Sequence, residues 1–88
     1  MGKRKLYEEE LAEALVEVVK EMRDLLGWSQ NDLALKTGFH RSYIGDFERG
    51  MRQISIKNVS RLAHGLGISA SKLMAKAEKR IDKIHWRR

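Results

Sequence analysis

The chain has 88 residues, with 18 lysines and arginines against 12 aspartates and glutamates, for a net charge of +6. It has no cysteine, which excludes a disulfide framework and a thiolate metal site, and it lacks the apolar run of about 18 residues that a membrane-spanning helix needs. Its charge favours an anionic partner, nucleic acid ahead of an acidic membrane surface, against the plain alternative of a basic protein with neither.

With no proline and almost no strand-like alternation, the expected fold class is all-α, around a single small core. Residues 1–5 read as a disordered basic arm. The first helix is expected from about Tyr7 to Leu26, because Leu11, Leu15, Val18, Val19, Met22 and Leu26 recur at helical spacing. Glu8, Glu9 and Glu10 suit the positive end of its dipole, and Gly27 ends it. Ser29 then caps a second helix, Gln30 to Thr37, with Asp32 completing an approximate capping box. That helix buries Leu33 and Ala34, and Gly38 stops it. A third helix runs from about Arg41 to Arg49 and closes at Gly50. After a loop over residues 51–54, Ser55 caps a fourth helix, Ile56 to Leu66, with Ile56, Val59, Leu62, Ala63 and Leu66 as its buried stripe. Gly67 ends it, and Ser69 caps a fifth helix running from Ala70 to about Ile84.

Ser29 to Gly50 is the informative stretch. Two helices too short to persist alone in water are joined by a tight turn holding Gly38, which is the pattern of a helix-turn-helix. At 100° per residue, Arg41, Ser42, Gly45, Asp46 and Arg49 share one arc of the third helix. Ile44 and Phe47 lie opposite and must be buried, with Tyr43 at their edge. The outward arc then carries groups suited to base edges: arginine for guanine, serine for either kind of edge, aspartate for cytosine, and a glycine that lets another surface approach. A merely solvated helix face is the alternative.

Ser29-Gln30-Asn31-Asp32-Leu33-Ala34, Thr37-Gly38-Phe39-His40-Arg41-Ser42-Tyr43-Ile44 and Phe47-Glu48-Arg49-Gly50 together resemble the Cro and phage-repressor type helix-turn-helix, the XRE family. Ser55, Leu62-Ala63, Leu66-Gly67-Ile68-Ser69 and Leu73 continue the resemblance, which covers about residues 15 to 74. The loop Met51-Arg52-Gln53-Ile54-Ser55 departs from it by lacking a proline before the fourth helix. The resemblance implies a compact five-helix, lambda-repressor-like domain at residues 6–74, with the helix-turn-helix at 29–50, extended first and last helices, and a basic helical extension at 75–88.

It also implies roles. Gln30 matches a phosphate-binding glutamine at a helix N-terminus. Arg41, Ser42 and Asp46 match base-contacting positions. His40 is open between a base or phosphate contact and a simple cap. Tyr43 is open between a backbone contact and a brace for the third helix. Arg49 and Arg52 look like phosphate clamps, with Lys57 and Asn58 as further candidates. Glu48 is expected to pair with Arg23 and tie the third helix to the first.

No catalytic residue, metal ligand or cofactor is expected. His40, His64 and His85 lack metal-binding spacing. Trp28 is expected in the core, and Trp86 is open between intrachain packing and an interface. Leu73, Ala77, Ile81 and Ile84 form an apolar stripe that needs cover, read as a homodimer interface, with intrachain packing on Leu6, Leu11 and Leu15 as the alternative. The expected function is a cytoplasmic, bacterial or phage-encoded transcription regulator, a repressor or autoregulatory controller, with restriction-modification controllers and small prophage repressors both similar in size. As a homodimer it would read a palindromic double-stranded operator. The alternative is an antitoxin that binds a toxin and autoregulates.

Overall fold

A computed structural model describes residues 7–85, with side chains through Ile81. The arm at residues 1–5, the Ile84 side chain and Trp86 lie outside the described residues. Five helices follow one another: α1 (Tyr7–Leu25), α2 (Gln30–Thr37), α3 (Arg41–Glu48), α4 (Ile56–Leu66) and α5 (Ala70–His85).

The local signals act through identifiable bonds. The Ser29 hydroxyl accepts from the Asp32 amide at 3.0 Å, and the Asp32 carboxylate accepts from the Ser29 amide at 2.9 Å, which closes a reciprocal capping box on α2. Ser55 accepts from the Asn58 amide and Ser69 from the Lys72 amide, both at 3.2 Å. At the end of α2, Gly38 takes a left-handed conformation (φ 80°), and its amide returns to the Ala34 carbonyl at 2.8 Å. A side chain there would be strained, so the turn between α2 and α3 depends on glycine.

Packing supplies what eight-residue helices lack. The centre of the core is Phe47, Leu15, Leu33, Ile44, Leu62, Leu73 and Val19, each fully enclosed. Burial of one such side chain is worth about 1.5–3 kcal/mol. Trp28 is half-buried against this cluster, with the Lys36 ammonium 5.3 Å from its ring centre.

The α5 stripe is a correction. Leu73, Ala77 and Ile81 are buried within the chain as part of that same core, so they cannot form a homodimer interface. Extended α1 and extended α5 lie side by side, and among the described residues their apolar faces cover each other. Arg80 clamps the pairing from outside, donating to Glu17 at 3.0 Å and also to Glu21. Partial burial lowers the Arg80 pKa, but the bonds to Glu17 and Glu21 outweigh it and the net shift is upward. α5 crosses residue 75 without a break.

Three further expectations fail on burial. Ile56 is 79% exposed; it keeps the register of Val59, but no neighbouring element covers the first turn of α4 on that side. Leu26 is exposed because α1 stops at Leu25 and the chain turns outward there. Gly45 is buried, not open to an approaching surface.

Gly65, inside α4, sits where that helix comes close to the end of α2. A β-carbon added there would sit 2.5 Å from the Thr37 methyl and 3.2 Å from the Lys36 carbonyl oxygen. Thr37 is buried and its hydroxyl donates to the Leu33 carbonyl at 2.8 Å, so it has no room to turn away. Gly65→Ala is expected to destabilise the fold by about 1–3 kcal/mol through overpacking, despite alanine's better helix propensity. Chemical denaturation checks this; a midpoint equal to or above the parent's would contradict it.

Candidate nucleic-acid interface

The outer side of α3 is positioned from behind. Ile44 and Phe47 anchor it in the core, and Glu48 locks its last turn. The Glu48 side chain is 3% exposed and that of Arg23 is 13% exposed. Arg23 Nε donates to Glu48 Oε2 at 2.7 Å and Nη2 donates to Oε1 at 3.0 Å, while Nη1 donates to the Trp28 carbonyl at 2.8 Å. The Gln30 amide nitrogen donates to Glu48 Oε1 at 3.0 Å. One carboxylate thus joins the end of α1, the start of α2 and the end of α3, and Arg23 ties in the turn after α1. Donation to Glu48 raises the Arg23 pKa, against the opposing effect of burial and with the attraction of Glu48 and Asp24 adding to the rise. Among the described residues no buried side-chain nitrogen or oxygen lacks a partner.

The predicted contact residues sort into two groups. Arg41, Ser42 and His40 are exposed, and among the described residues no side-chain bond engages them. His40 holds the N-cap position of α3, but its side chain makes no capping hydrogen bond. Lys57 is also exposed.

The other predicted residues are engaged inside the protein. Gln30 is held by Glu48 and, with Arg49, covers Gly45, where an added β-carbon would lie 3.5 Å from Arg49 Nη1 and 3.6 Å from Gln30 Oε1. The surface that comes close to Gly45 is therefore the protein's own. Asp46 pairs through Oδ1 with Arg49 and through Oδ2 with Arg52, the latter at 3.8 Å. Arg52 also lies over the Tyr43 ring, 5.0 Å from its centre. Tyr43 stacks on Phe39 with ring centres 4.2 Å apart and planes at 15°, and its hydroxyl accepts from Asn58 Nδ2 at 3.0 Å. Tyr43 and Asn58 thereby brace α3 against α4.

A helix-turn-helix family model matches residues 19–73. The chain belongs to the XRE-type helix-turn-helix family. This helix-turn-helix protein is 36% identical over 67 residues to control protein C.SmaI of Serratia marcescens, covering 76% of this chain and 80% of that protein. It is 31% identical over 74 residues to a Neisseria hypothetical transcription factor from Neisseria meningitidis, covering 84% of this chain and 70% of the relative. Among solved structures, the restriction-modification controller protein C.Esp1396I superposes with a TM-score of 0.76 at 30% identity, over 88% of this chain and 95% of that chain. C.Esp1396I is also known as a tetramer in complex with its natural 35 base-pair operator. These relatives support a regulator and not an antitoxin.

Sequence reasoning missed Arg61. This exposed arginine on α4 lies 4.6 Å from the centre of the Phe39 ring, on the far side of the turn that joins the two motif helices. Its spacing of four from Lys57 puts both cations on one helix face, which was readable; that the face abuts Phe39 was not. Among the described residues there is no grouping of three or more His, Asp or Glu side chains that could hold a metal, and no helix is long and apolar enough to cross a membrane.

Proposed function

We propose that this chain is a sequence-specific, double-stranded DNA-binding transcription regulator, a repressor or autoregulatory controller, that reads the major groove through α3 as a homodimer in the bacterial cytoplasm. The observation that carries this is the pairing of an exposed, unengaged Arg41-Ser42 edge with a rigidly anchored helix behind it. Unengaged arginine and serine donors can turn to base edges without first breaking an internal bond. Gln30 keeps a second amide hydrogen beyond the one given to Glu48, which suits a phosphate at the start of α2.

A single α3 offers few base contacts, so we assign two copies to successive major grooves about 34 Å apart. The operator-bound tetramer of C.Esp1396I supports oligomeric binding. Because Leu73, Ala77 and Ile81 are buried inside the chain, we place the pairing surface elsewhere.

Selection of bound duplexes from a random pool tests the function. A two-fold symmetric consensus is expected; recovery of unselected sequence would overturn it. Arg52 is assigned to a phosphate. Arg52→Ala should weaken binding to the selected duplex and to arbitrary sequence, and reduce the slope of log affinity against log salt by up to about 1. Titrations at several salt concentrations check this, and a loss confined to the selected sequence would contradict it.

A further inference from the structure

Asp46 is an anomaly on a surface meant to meet a polyanion. It sits on the outer arc of α3, yet each of its oxygens faces a guanidinium, Oδ1 that of Arg49 and Oδ2 that of Arg52. All three side chains are partly exposed, at 35% for Asp46, 63% for Arg49 and 47% for Arg52. Such pairs are weak and open readily when a better partner arrives. Arg41, one turn earlier, has no such partner among the described residues.

We propose that Asp46 is a specificity-determining residue, a carboxylate that occupies the Arg49 and Arg52 guanidiniums and so penalises binding to DNA of arbitrary sequence. This rests on the reading of α3 as the groove-entering helix.

The two kinds of complex expose Asp46 to different neighbours. A loose complex on arbitrary sequence is held by phosphate contacts alone. There the carboxylate competes with phosphate for the same two arginines and adds like-charge repulsion, a repulsive element aimed at the wrong partner. In a complex seated in register, α3 lies in the groove, where base edges include amino groups that can donate to a carboxylate. The penalty therefore falls more heavily on arbitrary sequence than on the selected site.

The test is Asp46→Asn in the full chain, with Asp46→Ser as a second variant and a thermal melt on each to verify folding. Binding is titrated against a random-sequence duplex and against the duplex selected by the parent protein. The expected result is affinity for random sequence raised about tenfold, with a salt slope steeper by about 1 as an extra phosphate is neutralised. Affinity for the selected duplex should change less, so the ratio of specific to non-specific affinity falls. Unchanged random-sequence affinity and slope in both variants would overturn the proposal. So would a preference altered at one base pair with random-sequence affinity held, which makes Asp46 a base reader. A parent chain that binds no duplex overturns the proposed function together with this role; a parent that binds while the variants match it overturns this role alone.

Discussion

Glu48→Ala is expected to lower the stability of the fold by roughly 3 kcal/mol, the range seen when one partner of a buried ion pair is removed. For a chain of this size that corresponds to a fall of about 12–24 °C in the thermal midpoint. The loss is large because Glu48 is the shared acceptor for Arg23 and Gln30. Without it the Arg23 guanidinium, largely withdrawn from water, keeps only the Trp28 carbonyl and the exposed carboxylate of Asp24. Glu48→Gln keeps the shape but not the charge, so its midpoint should fall between the two. A thermal melt followed by far-ultraviolet circular dichroism reads both. An unchanged midpoint for Glu48→Ala would show that the packing of Ile44 and Phe47 alone fixes α3.

Arg41→Ala is expected to reduce affinity for the selected duplex by about 1–3 kcal/mol, roughly 5- to 150-fold, and to relax preference at one base pair of each half-site. Its stability should stay within about 0.5 kcal/mol of the parent's, because an exposed side chain with no described partner leaves no hole behind. Repeating the selection with the variant reads the specificity directly. Unchanged affinity would remove Arg41 from the reading set. These two variants separate the roles of neighbouring turns of one helix: Glu48 holds α3 in place, and Arg41 uses the place it is given.

Much of this was legible because it is local. Ser29, Ser55 and Ser69 cap helices, and the left-handed glycines at 27, 38, 50 and 67 end them or sit in the turns that follow. Local chemistry decides such boundaries within a few residues of chain. Periodicity was weaker evidence, because it marks a face without saying what covers it. Ile56 has the right spacing and no cover, whereas Leu73, Ala77 and Ile81 have the right spacing and are covered by their own chain. Gly45 failed for a related reason: the arc count placed it outward, but the Gln30 and Arg49 side chains close over it.

Contacts between distant elements were the least legible. The clash that Gly65 avoids with Thr37 depends on how α4 crosses α2, and the stack of Phe39 on Tyr43 depends on the shape of the turn. In the candidate site, the sequence supplied residue types on the right helix. It did not supply their engagement, and engagement separates the free Arg41 from Arg49 and Arg52, which Asp46 holds.

The central claim is that a duplex meets this protein on the outer face of α3. The most direct measurement is amide chemical-shift mapping of the isotope-labelled chain titrated with its selected duplex. The shifted amides are expected to cluster at Gln30, from His40 to Asp46, and around Arg52 and Lys57. Shifts concentrated instead on the paired α1 and α5 surface, with Arg41 and Ser42 unmoved, would contradict it.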